Sequence, residues 1–227
     1  MTPRVNPPPR PEPPRAALPT GGLGMSASRL EAFSDGVLAI VITLLILDVK
    51  VPSVPPGHLA AALSDQWPRY VAYLMSFLIV GIIWLNHHAT IQLLARTDHG
   101  TQVLNLLLLL PVSVLPWPTA LLAEYASHGT HSDARLAVAI YGGTSTIMAV
   151  TFNIFWRYLL RHPELHRPDV TPGLIRTRTR RYIVGLVVYP VATAVGLLSV
   201  PLFLAVMLAL AVLYLLPTPD IGLDAQA

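Results

Sequence analysis

The side chains of this chain that could do chemistry are few, and several stand where a lipid-seeking sequence has no use for them. In "RLEAFSDGVLAIVITLLILDV", residues 29–49, Asp35 lies about one turn inside a run that becomes almost purely aliphatic. In a second apolar stretch, "WLNHH" groups an indole (Trp84), an amide (Asn86) and two imidazoles (His87, His88). A carboxylate with an imidazole suits proton transfer or metal ligation and, with a serine, acyl transfer. A metal site needs three or four converging ligands. His87 and His88 have no carboxylate near them in sequence, and His128 and His131 ("HGTH") fall in an outer loop, so no metal is expected. Ser, His and Asp are present without a G-x-S-x-G elbow, and no enzymatic activity is expected. With no cysteine in the chain, disulfides, thiolate metal sites and a Cys nucleophile are excluded.

The elements that must position these groups are read from composition. Of 227 residues, 53% are hydrophobic and only 12% charged, and the mean hydropathy is +0.57. Soluble domains are typically about 25% charged, so the balance points to lipid. Six apolar stretches run through roughly 30–49, 69–94, 102–123, 134–159, 182–199 and 201–216. Crossing a ~30 Å hydrocarbon core takes about 20 helical residues, which the first four supply. The last two are short and separated only by Ser199 and Val200. Pro201 suits the first turn of a helix, so a tight helical hairpin is expected there, with one long buried helix as the alternative. Prolines inside the third (Pro111, Pro116, Pro118) and fifth (Pro190) stretches mark bends, since each removes a helical hydrogen bond.

Basic residues orient the helices. With the N-terminus inside, twelve of the 15 Lys and Arg residues fall on the cytoplasmic side, leaving Lys50, Arg69 and Arg135 outside. That positive-inside bias predicts an all-α integral membrane protein with six transmembrane helices and both termini cytoplasmic. The expected organisation is a disordered proline-rich cytoplasmic tail (1–27), a six-helix domain (28–217) and a short cytoplasmic tail (218–227). Eight of the 22 prolines lie in the first 24 residues, and such a segment buries too little surface to order itself. A solvated tail is the expectation, with a ligand for a proline-reading module as the alternative. No apolar region with a cleavage site follows the basic start, so no cleavable signal peptide is expected. The arginines flank apolar segments without interleaved aromatics, which argues against nucleic-acid binding. The loop from Arg157 to Arg181, with "RTRTRR", offers anionic lipid head groups roughly 1 kcal/mol per basic residue, although orienting the chain is the safer explanation.

Asp35 facing lipid would cost roughly 2.5–3.5 kcal/mol at the bilayer centre and less near its edge. It must therefore face protein or water. Arg29 lies about 240° around the same helix, and Glu31 has the wrong sign, so the partner has to come from another helix. Asp35 and His87 stand at similar depths from the cytoplasmic ends of two antiparallel helices. His87 or Asn86 is expected to hydrogen-bond the Ser34/Asp35 turn, and Trp84 to donate its indole N–H to the same cluster. His88 points about 100° away and is expected at the interface.

Arg29-x-x-x-Phe33-Ser34-Asp35-Gly36, together with Trp84-x-x-His87, resembles the transmembrane-protein-175 family of potassium channels, lysosomal in animals and with shorter homologues in bacteria and archaea. The resemblance covers most of the chain from about residue 28. A single F-S-D motif implies the one-repeat, prokaryotic form, which assembles as a homotetramer around a pore lined by the first helix. Carried over by register, the constriction falls on Ile40, Leu44 and Leu47, with the Thr43 hydroxyl beside the ion path. The family's F-S-D cluster packs first helices against their neighbours. The resemblance thus implies that Arg29, Phe33, Ser34, Asp35, Gly36, Trp84, Asn86 and His87 shape the channel without touching ions in transit. Nothing matches a T-V-G-Y-G filter; "YGGT" (Tyr141–Thr144) lies inside the fourth apolar stretch. The expected function is a modestly potassium-selective cation channel of the cell membrane, with a hydrophobic gate, membrane lipids and permeant monovalent cations as partners, and no cofactor beyond the permeant ion. The alternative is a proton-coupled carrier or membrane-embedded enzyme centred on Asp35 and His87. Carriers often show internal repeats, and none is evident between helices 1–3 and 4–6.

Overall fold

The computed structural model describes residues 26–215. The expected proline-rich tail up to residue 25 and the C-terminal tail from residue 216 lie outside the described residues. The order is α1 (Ala27–Leu44) continued by a 3-10 turn (Leu45–Asp48), a short α2 (Leu59–Asp65), α3 (Trp67–Ile91), α4 (His99–Val114), α5 (Pro116–His128), α6 (His131–Arg161), a second 3-10 turn (Pro163–Leu165), α7 (Pro172–Gly196) and α8 (Val200–Leu215). No strand occurs among the described residues, which contain one isolated antiparallel bridge, Leu94 with His166. Four stretches are long and apolar enough to cross a membrane: Ala27–Asp48, Trp67–Ile91, His99–Ala126 and His131–Arg161.

Capping chemistry explains where the helices begin. Ser26, Asp98, Thr130 and Thr171 each place a side-chain oxygen on a backbone N–H of the first turn, satisfying donors that have no intrahelical partner. Thr130 and Asp133 complete a reciprocal capping box at the start of α6. At α7 the Thr171 cap is followed by Pro172 in the first turn, where a missing N–H costs nothing. The helix therefore starts well before the expected residue 182, and "RTRTRR" forms its first turns instead of a loop. Arginine is a good helix former, and four arginines on a capped helix extend it readily. The third apolar stretch is likewise two helices. α4 ends at Val114 and α5 opens on Pro116, because proline cannot donate to the preceding turn.

The longest helix, α6, packs against α4, α5, α7 and α8 and carries the core. α7 and α8 form a hairpin: Arg181 lies beside Tyr214 at its open end, and Gly196 beside Phe203 near its turn. A methyl group on Gly196 would sit 2.6 Å from Val138 Cγ1 and 2.8 Å from the Phe203 ring, so glycine there permits the close approach of α6, α7 and α8. Polar side chains tie the helices where lipid offers no water. Ser76 on α3 bonds Thr119 on α5 at 2.8 Å and Tyr141 on α6 at 2.9 Å, and Trp156 on α6 donates to Thr179 on α7 at 2.9 Å.

At the arginine-rich end, the segment after α3 is strapped to the segment after α6. Ala95 N–H donates to Leu165 O at 2.9 Å, and Arg167 N–H donates to Leu93 O at 2.8 Å. Beside the strap, Asp98 caps α4 by accepting from Thr101 N–H at 2.8 Å and Thr101 Oγ1 at 2.6 Å, and from Tyr158 O–H of α6 at 2.5 Å. Partial burial pushes this carboxyl up, but the hydrogen bonds outweigh it and hold it at about 2. A folded value below the ordinary 3.8 means the Asp98 bonds stabilise the fold above that pH and lose their effect as pH falls towards about 2. Asp98→Ala is expected to cost about 1 kcal/mol at neutral pH. Thermal unfolding in detergent checks this: the gap between variant and wild type should narrow steadily as the pH is lowered from 3.8 towards about 2.

Candidate functional site

α1 presents two faces. Leu30, Ser34, Leu38, Val41 and Leu45 are buried against the bundle, at the three-to-four spacing of one helical stripe. The opposite stripe is apolar and open: Phe33 is 49% exposed, Ile40 61%, Leu44 42% and Leu47 70%. Gly36 belongs to this open side, and a Cβ there would meet nothing within 4 Å. Thr43 is exposed on the same side, its hydroxyl donating to Ile40 O at 2.8 Å. The α-helix ends at Leu44 and tightens into the 3-10 turn. With three residues per turn, Leu47 stands directly over Leu44, so the stripe continues without drifting.

Polar contacts fix which stripe faces out. Trp84 Nε1–H of α3 donates to Asp35 Oδ1 at 2.9 Å. One turn away, His88 Nδ1 lies 2.6 Å from Glu31 Oε1. Between α1, α3 and α4 runs a chain of three fully buried groups. His87 Nε2 meets Asn105 Oδ1 at 2.7 Å, Asn105 Nδ2 donates to Ser34 Oγ at 2.9 Å, and Ser34 Oγ donates to Leu30 O at 2.9 Å. Since the Asn105 carbonyl can only accept, His87 carries its proton on Nε2. That leaves His87 Nδ1 buried without a partner among the described residues, while the ring stacks on Phe155 of α6 at 6.3 Å between centroids.

His87 reaches Ser34 through Asn105, where the sequence reading expected a direct bond to the Ser34/Asp35 turn. Asn86 turns its side chain away from α1 into a crevice toward α6, α7 and α8, while its backbone carbonyl accepts from the Thr90 hydroxyl at 2.8 Å and the Tyr182 hydroxyl at 3.4 Å. One residue of helix rotates a side chain by about 100°, so α3 can aim only one of this neighbouring pair at α1. Arg29 is exposed at the entrance of α1, and Asp35 bonds Trp84 instead of Arg29. Two contacts escaped the sequence reading, Asn105 and the Glu31–His88 pair. For Asn105 a signal was present, since it is the lone amide in the run "LNLLLLL". For Glu31 and His88 there was none, because opposite partners on different helices leave no spacing to read. Among the described residues no group of three or more His, Asp or Glu converges as a metal site.

A bundle of long apolar helices, with its N-terminal helix held by buried polar bonds and an aliphatic stripe left open, defines a multi-pass membrane protein. Its family is that of an ion channel. The model of the endosomal/lysosomal potassium channel TMEM175 matches residues 29–116. A potassium channel of Streptomyces collinus is 44% identical over 83% of this chain and 91% of its own, and one of Chamaesiphon minutus is 40% identical over 83% and 93%. The crystal structure of a lysosomal potassium-selective channel TMEM175 homolog from Chamaesiphon minutus superposes with a TM-score of 0.71, at 40% identity, covering 83% of this chain and 95% of that one. The chain belongs to the TMEM175 family of cation channels, and it is not an enzyme. The endosomal/lysosomal proton channel TMEM175 of Gallus gallus is 40% identical over 66% of this chain, a match that spans only 31% of that longer protein.

The buried chain carries a stability prediction. Asn105→Leu strands the His87 N–H and should cost about 1–3 kcal/mol, read as a lower unfolding temperature. Adding His87→Leu should recover part of that loss, because both members of the unmet pair are then apolar. A double-mutant cycle with no coupling between the two positions overturns the assigned bond.

Proposed function

We propose that four copies of this chain form a modestly potassium-selective cation channel of the cell membrane, with α1 lining the pore. Ile40, Leu44 and Leu47 form its hydrophobic neck, and Thr43 lies beside the ion path. The observation that carries the reading is the split character of α1: one face is buried and polar-bonded, the other aliphatic and open. A single chain has no way to enclose a conduit with one helix, whereas a cyclic homo-oligomer does. A neck of isobutyl and sec-butyl groups gates by dewetting and selects by partial dehydration, so selectivity is modest and needs no carbonyl filter and no cofactor.

In this reading the chain crosses six times, through α1, α3, α4–α5, α6, α7 and α8, with both termini cytoplasmic. The hairpin of α7 and α8 and the arginines at one end of α6 and α7 support that count. Ser34, Asp35, Trp84 and His87 act on the pore by holding α1 at one rotation. Arg29, Phe33 and Gly36, exposed on the single chain, serve the packing of first helices against their neighbours in the tetramer. The carrier alternative draws less support, since Asp35 bonds Trp84 and His87 bonds Asn105, and the two share no hydrogen bond.

Purified protein in liposomes is expected to pass potassium faster than sodium, and its mass in nanodiscs to match four chains. Ile40→Asn wets the neck and should raise flux about tenfold or more while narrowing the potassium preference, a barrier loss of at least 1.4 kcal/mol. Unchanged flux in folded, tetrameric Ile40→Asn removes Ile40 from the neck. Saturable uptake that needs a proton gradient replaces the channel with a carrier.

A further inference from the structure

Away from α1, the helices α3, α6, α7 and α8 line a crevice that is partly open to the helix surface. We infer that it holds one acyl chain of an anionic phospholipid, with the phosphate between Arg178 and Arg181. Ile83, Phe152, Val188 and Met207 make its walls apolar, Tyr189 lines it deeper along α7, and no acidic side chain lines it. Gly185 adds no side chain to the space; a methyl there would stand at ordinary contact, 3.4 Å from Tyr189 and 3.5 Å from Ala149. The crevice is therefore held open by the absence of a side chain, without any crowding that forbids one.

Polar groups are graded along its length as they are along a phospholipid. Arg178 donates to Ala89 O of α3 at 2.6 Å, and Arg181 donates to Tyr214 O of α8 at 3.1 Å while lying 4.7 Å over the Tyr214 ring. One cation is thus anchored to α3 and the other to α8, within one turn of each other on α7. Each guanidinium has five N–H donors and one is accounted for, so the others can meet a phosphate, a geometry that guanidinium suits. Next inward is Asn86, whose side chain lines the crevice and can donate to a glycerol-ester carbonyl. From Arg178 to Tyr189 the helix rises about 16 Å, a span suited to an extended acyl chain. The four arginines in the first turns of α7 favour an anionic head group over a zwitterionic one.

The test uses the full-length protein in nanodiscs that contain phosphatidylglycerol with a photoactivatable acyl chain, followed by peptide mapping. Labels are expected on crevice residues such as Phe152, Val188 and Met207, and labelling on the outward-facing Val187 and Val191 should be several-fold weaker. Competition should favour phosphatidylglycerol over phosphatidylcholine by about 30-fold in the wild type and by about twofold or less in Arg178→Gln/Arg181→Gln. Gly185→Leu should abolish crevice labelling while sparing the outward positions. Equal labelling of crevice and outward residues overturns the site. So does equal competition by the two lipids, or an anionic preference that survives loss of both arginines. The readout needs no ion flux, so it stands or falls separately from the pore assignment.

Discussion

A carboxylate, a serine hydroxyl and an imidazole inside apolar helices must each find a partner, because lipid offers none and an unmet buried polar group costs about 1–3 kcal/mol. In this chain the requirement is met between helices. Asp35 is met by Trp84, and Ser34 by Asn105, which His87 holds in turn. These bonds join α1 to α3 and α4 at one depth, and they fix rotation more than they add stability. An aliphatic stripe packs nearly as well a few tens of degrees around the helix, whereas a hydrogen bond at 2.7–2.9 Å does not.

With α1's rotation fixed, the rest of its surface has no freedom. Leu30, Leu38, Val41 and Leu45 go into the bundle, and Phe33, Ile40, Leu44 and Leu47 go out. The 3-10 turn at Leu45–Asp48 keeps Leu47 in line with Leu44, where a regular α-helix would have carried it around the axis. A polar clamp at one end of a helix thus places an apolar row along the rest of it. In the proposed channel, residues that touch no ion shape the conduit in this way. The far side of the molecule is organised differently: α7 brings arginines in its first turns and, deeper in, Gly185, which lines an apolar crevice shared with α3, α6 and α8.

The amino-acid sequence alone determined the helical class, the lipid environment and the boundaries set by local chemistry. Apolar runs of about 20 residues in a chain with 12% charge have few other solutions. The R-x-x-x-F-S-D-G motif with Trp84-x-x-His87 pointed to the family, and a polar residue in an apolar helix announces that it needs a partner. Local signals that were present but competed with others were read less well: the Thr171–Pro172 cap that lengthens α7, and the Pro116 that divides α4 from α5.

Which partner meets which polar group was decided only by the tertiary structure. Helical spacing relates residues on one helix, while Asn105 and Ser34 are 71 positions apart and Glu31 and His88 lie on different helices. The choice between Asn86 and His87 was equally out of reach. It depends on the rotation of α3, which is set by Ala72, Met75, Ile79 and Val80 packing into the bundle and has no signature within a few residues of either side chain. Periodicity tells what a helix must bury; only the packed assembly tells against what.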